Sequence, residues 1–391
     1  MSLFGTMSIG VKAPIIRKGD DLVGIVCDSV INACEENKLS LEDRDIVAVT
    51  EAVVAKSQGN FASLDDIACD VNSKFGNETV GLILPILSRN RFSLLLKGIS
   101  KGVKKLIIQL SLPSDEVGNH LIKQEEFITS GVNPYATLTE KEFYEKFGNT
   151  AHEFTGVNYV ELYKQFGGDN CEIIFSNDPC AILKYTKFVI NADIHTREMT
   201  KRLLLNAGAE KVYSLAEILN KSVNGSGFNP EFGLLGSNVS TDNTVKLFPK
   251  DTQKFVDDLN TEFKRRTGKN IECMVYGDGA FKDPVGKIWE LADPVVSPAF
   301  TSGLSGLPSE IKFKYVADNQ LKDLRGSEAD EAIKKIIREK SKETKNKNVS
   351  LGTTPRRLTD LLGSLADLTS GSGDKGTPFV LIKNYFKNYA D

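Results

Sequence analysis

Three groups of residues have types and spacings suited to chemistry. The first is a pair of carboxylate-bearing loops. Tyr276-Gly277-Asp278-Gly279-Ala280-Phe281-Lys282-Asp283 follows a β-rich run at 271–276, and carboxylates in such a loop can hold Mg²⁺ through oxygen ligands and waters. Asp-Gly also makes ordinary turns, which leaves a plain turn as the alternative. Asp360 and Asp367 lie on a helix expected over 356–368. Two helical turns separate them, so they share one face. Thr369-Ser370-Gly371-Ser372-Gly373-Asp374-Lys375-Gly376-Thr377-Pro378 comes next, a loop whose backbone N–H groups can wrap an anion or simply turn. Glu51 and Lys56 form the second group, just past the apolar run Ile46–Thr50. Carboxylates, a lysine and glycine loops together point to hard-cation, phosphate-handling chemistry, which needs little else. The third group is Asp115, Glu116, Asn119 and His120, then Asn177 and Asp178, then Asp193, His195 and Arg197, each set at the end of an expected strand. In open α/β sheets ligands bind at the carboxyl ends of strands; the bland alternative is that Asp115, Asp178 and Thr196 cap helices. No G-x-S-x-G elbow accompanies them, which argues against hydrolysis.

The elements that must carry these residues are legible in outline. Asp21 before Leu22, Ile25, Val26, Val30 and Ile31 predicts a capped helix ending near Asn37. Ile46–Thr50 reads as a buried strand. Over residues 103–217 β-rich runs at 106–112, 172–176, 188–194 and 211–215 alternate with helical patterns at 179–185 and 196–206, which predicts a parallel sheet. The turn-rich Asn224-Gly225-Ser226-Gly227-Phe228-Asn229-Pro230 marks a connection. A helix at 250–266, the strand at 271–276, a charged amphipathic helix over 328–347 running into a polar tract, and a strand at 379–382 complete the reading. The fold class expected is α/β: a mixed-sheet core built from 1–102 and 229–391, with a Rossmann-like parallel domain inserted at 103–228.

Composition excludes several classes. The chain has 391 residues, 40% hydrophobic and 26% charged, with 49 basic and 52 acidic residues. That is neither disordered nor basic enough for nucleic acid as the first partner. Its six cysteines show no C-x-x-C spacing, so reduced thiols are expected rather than disulfides or a cysteine zinc site. No long apolar run or secretion signal is evident, and a soluble cytoplasmic protein without membrane contact is expected.

Several of these segments resemble one family. Ala13-Pro14-Ile15-Ile16-Arg17-Lys18-Gly19-Asp20-Asp21-Leu22, Leu41-Glu42-Asp43-Arg44-Asp45 before a strand, and Val53-Val54-Ala55-Lys56-Ser57-Gln58-Gly59 resemble the opening of coenzyme F420-0:L-glutamate ligases. Gly236-Ser237-Asn238-Val239-Ser240, Thr267-Gly268-Lys269 through Asp278, and 373–381 resemble later segments of that family. The whole chain is similar to a longer bacterial ligase-like subgroup. The resemblance implies a homodimeric γ-glutamyl ligase using GTP and Mg²⁺ or Mn²⁺, which joins L-glutamate to a cofactor carboxylate (F420-0 or a folate-like acceptor) through an acyl phosphate. It further implies Lys56 and Asp278 as catalytic. Ala13, Pro14, Ile15, Glu51, Lys56, Thr241, Gly373 and Lys375 would meet the nucleotide; Asn238, Asp278, Asp283 and Asp360 would lie at the metal. The insert, through Asp115, His120, Asp193, His195 and Arg197, would select the substrate. Asn238 stands where the family has Asp, Gly279 where it has Thr, and Gln58 where it has Glu, each lowering charge or removing an oxygen ligand; Asp242, Asp283 or Asp374 are the substitutes at hand. Two alternatives follow: a binding protein on this scaffold that no longer turns over, and an enzyme whose site lies in the insert.

Overall fold

In the computed structural model the residues described are 4–88, 91–116, 118–152, 155–278, 281–282, 289–290, 294–308, 310–340, 356–370 and 373–391. The fold is mixed α/β, with parallel and antiparallel strands, as the sequence leads one to expect.

One five-stranded sheet draws on both ends of the chain, in the order Met7–Val11, Phe379–Lys383, Ile46–Thr50, Glu272–Tyr276, Ala299–Phe300. Ile46–Thr50 and Glu272–Tyr276 are parallel; the other pairings are antiparallel. Both faces are covered, which is why Ile46–Thr50 reads as a continuous apolar run. Val47 and Val49 pack with Val26 and Val30 of the helix Leu22–Glu36 and with Val256, Leu259 and Phe263 of the helix Thr252–Thr267. Ile46 and Ala48 point the other way, toward Leu362 and Ala366 of the helix Leu358–Ser370. Asp21 caps the first helix, its Oδ1 accepting from Gly24 N at 3.1 Å, and Gly268 ends the second at φ 70°.

A six-stranded sheet lies between these core strands in sequence. Its order is Leu138–Thr139, Cys171–Phe175, Lys105–Leu110, Thr79–Leu84, Phe188–Asn191, Lys211–Ser214, parallel except for the first, short edge strand. The chain starts at the central strand Thr79–Leu84, winds outward through 105–110 and 171–175, then crosses to the other side for 188–191 and 211–214. This is a doubly wound sheet whose topological switch falls between the ends of Thr79–Leu84 and Phe188–Asn191.

A three-stranded antiparallel sheet, Asn238–Thr241, Thr244–Lys246 and Phe61–Ser63, links the two. Its apolar residues Ala62, Val245 and Leu247 belong to the same buried cluster as Leu82, Leu84 and Leu106 of the parallel sheet and Ile67 and Val71 of the helix Leu64–Phe75. A fully buried Leu, Ile or Val contributes about 1.5–3 kcal/mol, so this shared core fixes the small sheet against the large one. Among the described residues no helix is long and apolar enough to cross a membrane.

Candidate functional site

Strand direction assembles the first site. Because Ile46–Thr50 and Glu272–Tyr276 are parallel neighbours, Glu51 and Asp278 leave the core sheet at the same edge. Phe379–Lys383 runs antiparallel to both of its neighbours, so the loop before it arrives at that edge too. Two backbone bonds tie the edge together: Thr50 N to Pro378 O at 3.0 Å and Ala13 N to Gly376 O at 3.1 Å. The edge therefore gathers Ala13, Glu51, Asp278, Gly373 and Lys375, with Pro14 and Ile15 exposed in the neighbouring loop. Gly373 and Gly376 take φ of 94° and 64°, conformations that favour glycine. Lys56 is exposed on the helix Glu51–Gln58, whose first turn Thr50 caps.

Glu51 is buried, and its Oε1 receives Lys246 Nζ at 2.5 Å, with side chains 7% and 10% exposed. Lys246 was not singled out from the sequence. Its signal was local: one cation inside the otherwise apolar Val245-Lys246-Leu247-Phe248. Lys246 stands directly across the hairpin from Asn238, so their side chains share a face of that small sheet. Asn238 Oδ1 accepts from Val239 N at 2.8 Å. Thr241 is at the turn end of the same hairpin, its hydroxyl 2.6 Å from that of Thr244, about 10 Å along the strand from Asn238. The structure thus brings Asn238 to Glu51 through Lys246 and leaves Thr241 at the far end.

The second carboxylate at this edge is Asp367 rather than Asp360. Tyr276 is 2% exposed, and its phenol is pushed up by burial and, further, by the nearby carboxylates of Asp367 and Asp278. Ser370 and Thr50 also approach the Tyr276 hydroxyl. The helix Leu358–Ser370 therefore presents its C-terminal half to the site. Asp360 lies about 10 Å back along the axis, next to Thr359, whose carbonyl accepts from Ser297 Oγ at 2.7 Å. Asp283 and Gly279 lie outside the described residues. Gln58 has its own use: Nε2 donates to Lys250 O at 2.5 Å and Oε1 accepts from Lys250 N at 3.1 Å. A carboxylate at 58 would supply only the acceptor, so the amide here is fitted to the backbone it binds.

Among the described residues no group of three or more His, Cys, Asp or Glu converges as a metal cage. The donor set at the edge still suits Mg²⁺, which takes one or two carboxylates and completes its shell with phosphates and water. Asp278 and Asp367 are the candidate carboxylates there, while Glu51 is paired with Lys246.

The third group of residues comes together at the carboxyl edge of the parallel sheet. Asp115 Oδ2 accepts from Leu87 N and from Asn119 Nδ2, both at 2.9 Å, and its Oδ1 from Asn119 N at 2.8 Å. It staples two loops, which accords with a structural role. Asp193 caps the helix Arg197–Asn206 in place of Thr196: Oδ1 accepts from Thr196 N at 2.8 Å, and Oδ2 accepts from the hydroxyls of Thr196 and Thr200. Arg197 Nη1 donates to Ile194 O at 2.6 Å. His120 is half-buried, with Nδ1 buried and unpartnered. His195, 46% exposed at its side chain, sits 2.7 Å through Nδ1 from Glu116 Oε1. Desolvation, then the nearby Asp193 carboxylate, push the Glu116 carboxyl up to about 7, against the opposing pull of His195. Beside this edge, a cavity of about 50 Å³ is lined by Leu84, Ala192 and Ile194 on one side and by Leu235, Gly236 and Ser237 on the other.

Comparison with known proteins bears out the family resemblance. Residues 10–384 match the family described as F420-0:Gamma-glutamyl ligase. The coenzyme F420:L-glutamate ligase of Methanosarcina acetivorans is 36% identical over 85 residues, 20% of this chain and 30% of that protein. The enzymes of the same name from Methanosarcina mazei and Methanosarcina barkeri are 32% and 36% identical over 85 and 83 residues. These matches span only about 30% of the relatives' length. The family match covers nearly the whole chain, and the protein belongs to the F420-0:gamma-glutamyl ligase family.

Proposed function

We propose that this protein is a GTP- and divalent-metal-dependent γ-glutamyl ligase, which forms an amide between L-glutamate and a carboxylate of a cofactor such as coenzyme F420-0 or a folate-like acceptor. The observation that carries this reading is the convergence of the 13–15 loop, Glu51, Asp278 and the 373–378 loop on one edge of the core sheet, in a member of this family. A carboxylate is a poor electrophile until it is phosphorylated, so the reaction needs a site that holds polyphosphate and neutralises a transferring phosphoryl group. Lys56, exposed on the helix that starts at that edge, would supply a cation to the phosphates, and the glycine backbone at 373–376 N–H donors. Asp278 and Asp367 would hold Mg²⁺ or Mn²⁺, which when bound neutralises charge on the phosphoryl oxygens. Lys246 keeps Glu51 charge-balanced beneath the edge. A homodimer is part of the proposal, checked by light scattering on the eluting protein.

The test is GDP release in the presence of L-glutamate and each acceptor, with ¹⁸O-labelled acceptor carboxylate. Label transferred to phosphate supports an acyl phosphate, and Asp278→Asn should abolish it with the fold intact by circular dichroism. Nucleotide binding without GDP release under any acceptor would overturn the reading in favour of a binding protein, a role that the Glu51–Lys246 pairing also fits.

A further inference from the structure

We propose that His195, oriented by Glu116, is the general base that takes the proton from the attacking amine in the amide-forming step. The inference rests on the ligase reading above and adds a residue from the parallel sheet to a reaction otherwise placed at the core sheet.

Two independent observations carry it. The first is the dyad itself. A Glu116 oxygen that accepts from Nδ1–H, as the carboxylate or with its proton shared toward Asp193, fixes the ring and its tautomer, leaving Nε2 as the acceptor of a proton. Nδ1 is 2.7 Å from Glu116 Oε1, the imidazole is half-exposed, and among the described residues Nε2 has no partner. Glu116 is in turn held in place, its backbone N donating to Pro85 O at 2.9 Å. The second is location. The dyad stands at the switch point of a doubly wound sheet, and the cavity beside it is shared by Ile194, the residue before His195, and Ser237, the residue before Asn238. The segment that lines the cavity continues directly into the strand opposite Lys246 and Glu51.

The charged groups around His195 are accounted for. Glu116 comes from the loop after Lys105–Leu110, and Asp115 of the same loop is committed to Leu87 and Asn119. Asp193 and Arg197 come from its own segment, the first bound to Thr196 and Thr200 and also facing the Glu116 carboxyl, which burial and then this carboxylate push up, and the second bound to Ile194 O. Lys201 of the following helix is paired with Glu217. Among the described residues of this cluster, His195 and His120 each keep a ring nitrogen open, that of His120 buried and the His195 ring half-exposed.

The step balances as follows. The ammonium form of the amino acid gives one proton to His195 Nε2. The freed lone pair forms the C–N bond at the acyl carbon while the C–O bond to phosphate breaks, phosphate leaving with that electron pair. The second proton lost from nitrogen goes to the departing phosphate, which leaves as hydrogen phosphate, and His195 returns its proton to solvent.

The experiment compares amide formation with hydroxamate formation from hydroxylamine, a nucleophile largely unprotonated at neutral pH, in the full-length wild type and in His195→Gln, Glu116→Gln and Glu116→Asp. General-base catalysis is worth about 10²–10⁴ in rate. His195→Gln should therefore lose about 100-fold or more in amide kcat, with KM for glutamate little changed, while hydroxamate forms at the wild-type rate. The acidic limb of the kcat–pH profile should vanish with it. Glu116→Gln should show a smaller loss that Glu116→Asp partly restores. Equal loss of both products, or no loss, in His195→Gln overturns the base assignment while leaving the ligase intact. A wild type that makes neither product overturns the ligase reading and this inference together.

Discussion

Glu51 and Lys246 offer a direct test of how the core edge is held. Both side chains are at most 10% exposed, and the pair spans 195 residues of sequence. Lys246→Met leaves the Glu51 carboxylate buried without its cation, and removal of one partner of a buried pair costs about 3–5 kcal/mol. Glu51 sits in the first turn of its helix, where the helix dipole returns about 0.3–1 kcal/mol to an anion, so about 3 kcal/mol is expected. Glu51→Gln strands the ammonium instead, with no dipole to relieve it, and should cost at least as much. In Glu51→Gln/Lys246→Met no unpaired charge remains, and the double variant should be less destabilised than the sum of the single changes by about 2–3 kcal/mol. The assay is urea unfolding followed by circular dichroism, with slopes compared to keep the unfolded reference constant. Single losses below about 1 kcal/mol that simply add would mean the pair behaves as a solvated surface bridge, and the account of a dry, charge-balanced support under the site would be wrong.

Gly102→Ala should destabilise the parallel-sheet core by about 1–3 kcal/mol, since the new Cβ would lie 2.6 Å from Ala68 O of the adjacent helix; an unchanged unfolding midpoint would refute that close approach. Gln58→Glu should cost about 1–3 kcal/mol by leaving Lys250 O without its donor. Tighter Mn²⁺ binding at unchanged stability would instead place residue 58 at the metal. Glu116 titrates near 7 in the folded chain against about 4.5 ordinarily, so the folded state binds more protons between those values. Stability should therefore fall as pH rises from about 4.5 to 7, and a Glu116→Gln variant whose melting temperature keeps the wild-type slope over that window would contradict it.

What could be read from the sequence was local, and what could not was mostly long-range. Asp21 announces its helix because a capping carboxylate acts within three residues, and Ile46–Thr50 announces a strand covered on both sides because its first four positions are all apolar. Thr79–Leu84 went unread although it is the centre of the parallel sheet: it merges into Pro85-Ile86-Leu87, and a short apolar run with a glycine inside it has no distinct period. Gly81 is there because a Cβ would lie 2.4 Å from Ile182 Cγ1 of the short 3₁₀ helix Pro179–Lys184 packed on the sheet, a reason invisible before the fold is known. Asp360 and Asp367 were legible as sharing a face; which of them reaches Tyr276 depends on the direction in which the helix crosses the sheet. The same limit applied to Lys246, whose partner is 195 residues away. Residues 234–237 line the cavity beside Ile194, and the chain then enters the hairpin that seats Lys246 on Glu51. A change in the 235–237 backbone should therefore be felt at both sheet edges.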